Sequence, residues 1–529
     1  MKEFFIYKDR NSQEEFKLSR AKDTPLPHIP DKVSSSIGDN IEHVSRIFST
    51  DKNGDVVVRN FSIRAQDGCL KAFLVCADGL CSSSQINDFV LEPLMNAVGF
   101  SLKSDMAQCI ETLLLPQVQI STSRDIYTAL SSVNIGNAVL FVDRLEICFV
   151  LDVKSWEHRN ISNPENEAVI QGPHEGFNEV LRSNTALIRK TLGTCNLIME
   201  NISVGKTSRT PGALCYLNNV TNDSLVQEVK RRIESIDAEY VLSSLDVEQY
   251  IEEDTFLPIP QMITTERPDR VCKALTEGRV AFVLNGSPHV LIMPATFFDL
   301  ITSAEDEYLR YPYSLLIRFL RYTAVVLALL FPAVFAAVLN YHPELILTNI
   351  LLAVSSSRAL VPFGALVELF LMEMAFELIK EAGIRVPGPI GSTLGIVGGL
   401  IVGQAAVEAN LVSPIMIIIV AVTGIASFTL PSYSLSFAFR FSRFLYILGA
   451  ALAGLYGVCA VFFVNTLLAV GTKSFGVPFM SPLAPSDDKN LFSVLFGSPI
   501  WRRGTVREEY LKPKDMYKKA HISRKWKES

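Results

Sequence analysis

The sequence of 529 residues lacks the short motifs that mark most enzyme sites. It has no G-x-S-x-G, H-E-x-x-H or G-x-G-x-x-G motif in a useful context. Gly205-Lys206-Thr207 matches only the end of a phosphate-binding loop, because Glu200 stands where the first glycine is needed. The 9 cysteines show no C-x-x-C spacing, and the 7 histidines show no ligand spacing. We therefore expect no catalytic constellation, no metal and no cofactor, and the chain is not predicted to be an enzyme.

Charged residues are scarce over a long stretch from Tyr322 to Val470, where apolar runs dominate. Before about Arg310 the composition is that of a soluble protein, and after Trp501 lysine and arginine are frequent. The net charge of −6 averages these three regions, so it gives no information about partners. The N-terminus shows no apolar core of a secretory signal, and scattered cysteines are typical of a reducing cytosol.

The patterns before Arg310 predict a flexible arm followed by two α/β subdomains. Residues 1–38 are polar and proline-dotted, which is typical of a flexible arm. Strand and helix patterns then alternate over 39–155 and again over 160–305, so each stretch is predicted to be an α/β subdomain. The local signals are a hairpin turn at Asp143 and Arg144, a helix introduced by Gly172 and Pro173, a helix capped by Asp223, and a hairpin turn at Asn285-Gly286.

The stretch 310–475 predicts a helical membrane domain, and 476–529 is predicted to be a basic tail. Four apolar runs reach the roughly 20 residues that cross about 30 Å of hydrocarbon. They are Tyr322–Leu339, Ile390–Val407, Leu411–Leu430 and Phe444–Val470. The fold class is therefore a multidomain membrane protein, with a cytosolic α/β N-terminal region of two subdomains followed by an α-helical transmembrane bundle.

Basic residues in short loops favour a cytosolic position for the N-terminal region and the tail. Arg310, Arg318 and Arg321 precede the first span. With four or five crossings, either the tail or the arginines before the last span would lie outside. A sixth passage, made with the short segment before Arg358, would make the number of crossings even and return the tail to the cytosol. That segment is, however, more typical of an interfacial or re-entrant position. Four to six passages are thus predicted.

The stretch from Ala365 to Gly391 is apolar enough to enter a membrane, yet it carries Glu368, Glu373, Glu377 and Glu381. A helical projection at about 100° per residue places three of these glutamates on one face with Lys380, and Glu368 apart from them. A carboxylate in lipid costs several kcal/mol, so the charged face is expected to meet water, protein or an ion path. The alternative is an amphipathic helix at the interface, with solvated glutamates and Lys380 paired to Glu377. The residues alone leave both interpretations open.

Glycines recur every four residues in the next apolar run, at Gly391, Gly395, Gly399 and Gly403. Such a face lets a neighbouring helix approach closely, either within the subunit or between subunits. Gln404 and Glu408 continue this face. The candidate ion-pathway residues are therefore Glu373, Glu377, Glu368 and Gln404, and the four glycines are candidate helix-packing residues.

Several long segments match one family in the same order along the chain. They are GPHEGFNEVLRSNTALIRKTL, PQMITTERPDRVCKALTEGRV, the Glu305-Asp306 pair in SAEDEYLRYPYSLLIRFLRY, and MEMAFELIKEAGIRVPGPIGSTLGIVGGLIVGQAAVEANLVSP. In these segments, and from about Asp78 to Pro485, the sequence resembles the A subunits of the spore germinant receptors, the GerA family. The resemblance implies an integral protein of the spore inner membrane whose large N-terminal region is cytosolic.

The family resemblance also implies partners and an activity. In the family the A subunit acts with a transporter-like B subunit and a lipoprotein C subunit. The resemblance implies a homo-oligomer in membrane lipid that forms a ligand-gated cation pore and triggers germination, and it implies no nucleic-acid partner. A sister branch of sporulation-stage membrane proteins shares these motifs, so a role in germination or ion release without nutrient recognition stays open. A secondary transporter is disfavoured, because it would show more spans and a repeat between halves.

Overall fold

The structure is a computed structural model, and two α/β subdomains precede a group of long apolar helices. The predicted α/β class of the N-terminal region is confirmed. The described residues are 18, 32–65, 68–96, 106–116, 119–155, 164, 167, 169–385, 398–399, 401, 403–484, 495 and 511–514. Most of the arm predicted over 1–38 therefore lies outside the described residues.

The first subdomain is a five-stranded antiparallel sheet with helices on both faces. Its strands, β1 (Val56–Ala65), β2 (Gly68–Ala77), β3 (Ile120–Ser123), β4 (Asn137–Val142) and β5 (Cys148–Asp152), pair in the order β1-β2-β4-β5-β3. Its α-helices are α1 (Ile37–Phe48), α2 (Ser83–Ile86), α3 (Glu92–Met95), α4 (Met106–Cys109) and α5 (Ile126–Ser131). Apolar clusters cover both faces of the sheet, which explains why β4 is an almost unbroken apolar run.

The second subdomain is another five-stranded antiparallel sheet. Its strands are β6 (Leu197–Val204), β7 (Thr210–Leu217), β8 (Ile263–Thr265), β9 (Val280–Leu284) and β10 (Val290–Met293), in the order β6-β7-β9-β10-β8. Its helices are α6 (Leu181–Leu192), α7 (Asp223–Glu234), α8 (Ser244–Ile251), α9 (Pro268–Glu277) and α10 (Phe297–Ile301), followed by a 3₁₀ turn at Ala304–Glu307. Strands β9 and β10 are buried along their whole length, because apolar clusters again lie on both faces.

The two sheets repeat one topology. Adding five to each strand number of the first sheet gives the strand order of the second. In both, a helix precedes the first strand, helices separate the second strand from the third, and a further helix separates the third from the fourth. This repeat was not predicted from the sequence. The two stretches share their order of elements, but they share no recognisable residue pattern.

Both predicted hairpins are confirmed. Strands β4 and β5 pair in antiparallel fashion across a turn in which Arg144 has a φ of 69°. Strands β9 and β10 do so across a turn in which Gly286 has a φ of 86°. Glycine reaches this left-handed backbone without a steric cost, which is why Asn-Gly is a reliable hairpin signal.

Two predicted helix starts are wrong. The helix introduced by Gly172 begins only at Leu181, because the loop before it is held by side chains: Asn184 Oδ1 accepts the Asn178 N–H at 2.9 Å, and Asn178 Oδ1 accepts the Val180 N–H at 2.9 Å. These bonds offer the backbone an alternative to a helical turn. Helix α7 is capped by Asn222 rather than Asp223, since the Asn222 side chain accepts the N–H of Ser224.

One buried arginine joins the two subdomains. Arg189 of α6 donates to both carboxylate oxygens of Asp55, which precedes β1, at 2.5 and 2.9 Å. It also donates to Asn134 in the first subdomain and to the Leu197 carbonyl in the second. Ala186, on the same helix, packs into the core of the first subdomain. The joint is therefore both apolar and ionic, and its charged groups are satisfied by several hydrogen bonds.

The helices after the second subdomain are α11 (Tyr311–Tyr341), α12 (Thr348–Arg358), α13 (Ala365–Arg385), α14 (Pro414–Phe428) and α15 (Tyr433–Gly471), and a small hairpin of β11 (Lys473–Ser474) and β12 (Val477–Pro478) follows. Among the described residues, α11 and α15 are long and apolar enough to cross a membrane. Helix α11 contains the predicted span Tyr322–Leu339. The predicted span Leu411–Leu430 forms only the 15 residues of α14, and most of Ile390–Val407 lies outside the described residues.

Helix α15 reverses direction in its middle, so the prediction of one span over Phe444–Val470 is wrong. Ala453 and Gly454 have non-helical backbone angles, with a φ of 60° at Gly454. A methyl group added at Gly449 would lie 2.8 Å from the side chain of Val461. In a straight helix, residues 12 apart would be separated by about 18 Å. Residues 433–452 and 455–471 are thus two arms packed side by side, and small glycines allow their close approach.

The first arm of α15 begins, and the second arm ends, at the second subdomain. Leu435, near the start of the first arm, lies in the apolar cluster of that subdomain together with Phe479, which follows the second arm. The Phe297 N–H donates to the Phe479 carbonyl at 2.9 Å. The reversal itself lies at the opposite, far end of the bundle, where the Tyr341 hydroxyl at the end of α11 donates to the Ala451 carbonyl.

Helix α13 also runs the full way between the two ends. Ala365, its first residue, packs with Ala336 and Ala337 at the far end, whereas Glu377 meets Arg440 near the start of α15. Since α11 ends and α13 begins at the far end, α12 stays there and makes no passage of its own. The second arm of α15, by contrast, runs back toward the second subdomain, where Phe479 follows it.

The described part of the predicted basic tail lies on the second subdomain. Leu511 is buried in that subdomain's core. Lys514 donates to the carbonyl of Asn218 at 2.9 Å and pairs with Asp223 at 2.6 Å. The Leu18 carbonyl accepts from Lys512 at 2.6 Å, so parts of the two chain termini meet on this surface. The described residues 511–514 of the tail thus lie at the same end of the helices as the second subdomain.

Replacement of Arg189 by Met is expected to lower the free energy of unfolding by about 3–5 kcal/mol, because Asp55 would keep a buried and unpaired charge. Thermal unfolding of the full-length protein in detergent measures the change. Arg46→Met on α1 is the matched control, since its pair with Glu42 is half-exposed and is expected to contribute less than about 1 kcal/mol. Equal losses for the two variants would contradict the role given to the joint.

Candidate functional site

The candidate site is a row of charged side chains on α13 that points into the helical bundle. The helix follows Gly364, and it packs against α11, α14 and α15. Its apolar residues Leu369 and Ala365 are buried among these helices. Because the glutamates recur at roughly one-turn spacing among them, several carboxylates are carried into the same interior.

Glu373 forms the most deeply buried ion pair of the row. Its Oε2 accepts from Nη1 of Arg443 on α15 at 2.6 Å, and the two side chains are 0% and 1% exposed. Arg443 also donates through Nε to the backbone carbonyl of Ala328 on α11 at 2.9 Å. One guanidinium therefore connects three helices, and the charge of Glu373 is neutralised inside the bundle.

Glu377, one turn further along α13, pairs with Arg440. The Nη1–Oε2 distance is 3.1 Å, and Glu377 is 21% exposed, so this pair is longer and less buried than the first. The guanidinium of Arg440 also lies 5.1 Å from the ring centre of Phe437, a cation–π contact. Lys380 lies 4.2 Å from the ring centre of Phe428. The glutamates are thus paired with arginines of another helix, unlike the solvated arrangement of the interfacial alternative.

Glu368 belongs to a separate contact at the far end of α13. Its Oε1 accepts the N–H of Ser413 at 2.6 Å and also accepts from the Ser413 hydroxyl. Its other oxygen accepts from Nε of Arg358 at 3.3 Å. Ser413 immediately precedes α14, so the carboxylate of Glu368 caps the positive end of that helix. Glu368, which the helical projection separates from the other glutamates, therefore also has different contact partners.

The two arginine–glutamate pairs use only part of their hydrogen-bonding capacity. Oε1 of Glu373, Oε1 of Glu377, Nη2 of Arg443, and Nε and Nη2 of Arg440 are buried and have no hydrogen-bond partner among the described residues. A polar atom without a protein partner is costly in an apolar interior. The cluster consequently holds both spare acceptors and spare donors next to one another.

The predicted polar end of the glycine face lies on the surface of the chain. Gln404 is exposed, and its amide donates to Glu408 at 3.1 Å. Gly399 has no described neighbour within 4 Å of an added methyl group, whereas Gly403 would contact Ile417 of α14 at 3.9 Å. Gly391 and Gly395 lie outside the described residues. Glu381 pairs with Arg385 on its own helix, so it takes no part in the interior cluster.

Arg440, Arg443, Ser413 and the Ala328 carbonyl were not predicted as site groups. Arg440 and Arg443 are charged residues at the edge of an apolar run, and this position indicates that they need a partner. The sequence does not indicate which helix provides that partner. Among the described residues, no group of three or more His, Cys, Asp or Glu side chains is placed to hold a metal ion.

Comparisons with known proteins identify the family. The sequence model described as Bacillus/Clostridium GerA spore germination protein matches residues 42–509. Spore germination protein KA of Bacillus subtilis (strain 168) is 37% identical over 473 residues, which cover 89% of this chain and 86% of that protein. Spore germination protein GerLA of Bacillus cereus is 34% identical over 467 residues, covering 87% of this chain and 93% of that protein.

A solved structure also aligns with the chain, that of the N-terminal domain of the A subunit of the Bacillus megaterium spore germinant receptor GerK3. It is 26% identical, covers 50% of this chain and 97% of that chain, and gives a TM-score of 0.37. The family match and the relatives each extend over far more than half of the sequence, as the resemblance predicted. The chain belongs to the GerA family of spore germination proteins.

Proposed function

We propose that the chain is the A subunit of a nutrient germinant receptor in the spore inner membrane, and that it oligomerises to form a gated cation path. The observation that carries this proposal is the row of carboxylates on α13, of which Glu368 and Glu373 are fully buried and Glu377 is partly exposed, each held by an arginine. The names of relatives, such as Spore germination protein A1 of Bacillus subtilis, support the place in germination. A transporter-like B subunit and a lipoprotein C subunit are the partners we propose.

We propose that the ion pairs of Glu373 with Arg443 and of Glu377 with Arg440 belong to the closed state of the path. A carboxylate deep in an apolar bundle is costly, and an opposite charge at hydrogen-bonding distance offsets part of that cost. While Arg443 and Arg440 hold these carboxylates, the cluster is neutral and attracts no cation. If a signal from partner subunits draws α13 and α15 apart, the carboxylates become free to attract cations into the path. Glu368 and Gln404 are proposed to act at the ends of that path.

Polar groups on the outer surface support the oligomer. Gln404 and Glu408 are exposed on a single chain, although they lie in the membrane domain. Lipid is a poor environment for these side chains, so we propose that they face a water-filled axis shared by several copies. No described residue lies within 4 Å of a methyl group added at Gly399, so we propose that a helix of another copy packs closely there.

The proposed orientation places both subdomains and the tail in the cytosol, with six passages. These are α11, α13, α14 and the two arms of α15, together with the span predicted from the sequence at Ile390–Val407. The basic residues before α11, at the end of α13 and at the start of α15 then all lie on the cytosolic side. The reversal at Ala453 and Gly454 supports this count, because it adds a return that the sequence cues for four or five passages lacked.

The double variant Glu373→Gln/Glu377→Gln is expected to slow nutrient-triggered cation release by about tenfold or more, equivalent to about 1.4 kcal/mol in the barrier. Without the carboxylates, Arg443 and Arg440 would leave positive charge in the path. Release from spores is measured by following potassium in the medium, with protein level and membrane localisation checked in parallel. Glu381→Gln is the matched control, because Glu381 is half-exposed and, among the described residues, its ion pair is with Arg385.

A normal rate of release in the double variant would contradict the role of these carboxylates in the path. Should the variant fail to accumulate, the neutral pair Glu373→Gln/Arg443→Gln leaves no unpaired buried charge and serves as the second test. With both members neutral, the resting path is expected to lose its charged contact, and spores should release cations at a lower nutrient concentration.

The orientation is tested by cysteine labelling in a variant whose native cysteines are replaced. Glu344→Cys at the far end is expected to react with a membrane-impermeant maleimide added from outside. Arg385→Cys at the end of α13 and Lys206→Cys on the second subdomain are expected to react only after the membrane is permeabilised. All three positions are exposed in the structure. Labelling of Arg385→Cys from outside would show that α13 does not return to the cytosol.

A further inference from the structure

Pro332 lies in the middle of α11 and leaves one backbone acceptor free. Proline has no N–H, so it cannot donate to the carbonyl of the residue four positions earlier, which is Ala328. Ala328 is fully buried, and a buried carbonyl without a partner is costly in an apolar bundle. The donor that replaces the missing N–H is Nε of Arg443, at 2.9 Å.

The contact with Ala328 also sets the direction of the Arg443 side chain. The guanidinium is a rigid planar fork, so fixing Nε against one acceptor determines where the two terminal nitrogens point. One of them, Nη1, meets Oε2 of Glu373 at 2.6 Å. The released carbonyl on α11 therefore aims Arg443 of α15 at Glu373 of α13.

The neighbouring pair shows what the same residue types do without such a carbonyl. Arg440 has no backbone acceptor among the described residues, and its Nε and Nη2 have no hydrogen-bond partner. Its contact with Glu377 is longer, at 3.1 Å, and more exposed. The shorter and fully buried pair is thus the one whose arginine also donates to a backbone carbonyl, that of Ala328.

We propose that Pro332 is a positioning residue for Arg443. By withholding a backbone N–H it exposes the Ala328 carbonyl, which holds the guanidinium against Glu373 and keeps that carboxylate neutralised in the resting protein. The effect of this contact on cation release rests on the proposed function, whereas the positioning itself does not.

The test uses Pro332→Ala in a double-mutant cycle with Arg443→Lys. Alanine supplies the missing N–H, which competes with Arg443 for the Ala328 carbonyl and weakens its hold on the guanidinium. Lysine keeps the charge that faces Glu373 but has no fork to hold both acceptors. The melting temperature of the full-length protein in detergent is measured for all four combinations. Pro312→Ala is the matched control, since Pro312 lies in the first turn of α11, where the N–H has no helical partner.

The expected result is that Pro332→Ala is less favourable in the wild-type background than in the Arg443→Lys background, by roughly 2 °C or more in melting temperature. The Pro312→Ala control should give the same shift in both backgrounds. An equal shift for Pro332→Ala in both backgrounds would overturn the proposal. If Arg443→Lys does not fold, the neutral background Glu373→Gln/Arg443→Gln replaces it, and the same inequality is expected.

A second measurement separates the positioning role from the proposed function. Spores with Pro332→Ala are expected to release cations at a several-fold lower nutrient concentration than spores with Pro312→Ala. Coupled melting temperatures without any change in release would support the positioning by Pro332 and contradict the gating role of the Glu373 pair. Additive melting temperatures would overturn the positioning role, whatever the release assay shows.

Discussion

The buried pair of Glu373 and Arg443 is the contact on which the arrangement of the long helices depends. A lone carboxylate or guanidinium in this interior would be strongly unfavourable, so each requires the other at hydrogen-bonding distance. Since the arginine also satisfies the carbonyl of Ala328, helices α11, α13 and α15 are tied together by one side chain. Apolar packing alone would hold such helices loosely in lipid, where no hydrophobic force drives them together.

The same helices are attached to the second subdomain, so the pair is connected to the part of the chain outside the bundle. Arg321 of α11 makes a bidentate, buried contact with Asp306, and both arms of α15 begin or end on that subdomain's core. The first subdomain is joined in turn through Arg189 and Asp55. A displacement of the subdomains would therefore act on α11 and α15 directly, which is the route to the ion pairs that the proposed function requires.

Much of the N-terminal fold follows from local sequence signals, because hairpins such as Asn285-Gly286 and buried strands such as β9 are specified by neighbouring residues. The charged face of α13 was likewise predicted by helical periodicity. The partners of its glutamates were not, since Arg443 is 70 residues away and nothing local selects α15 over another helix. The reversal at Gly454 was missed because glycines within an apolar run are equally compatible with a straight helix.

The central claim is that α13 and α15 separate when the path opens. It is tested most directly by joining the two helices at Phe370 and Phe444, whose ring centres lie 5.9 Å apart. Spores that carry Phe370→Cys and Phe444→Cys are treated with a short thiol-specific cross-linker, and nutrient-triggered cation release is followed. The account predicts that the cross-linked pair blocks release, while each single cysteine with the same reagent releases normally. Unchanged release from the fully cross-linked protein would contradict it.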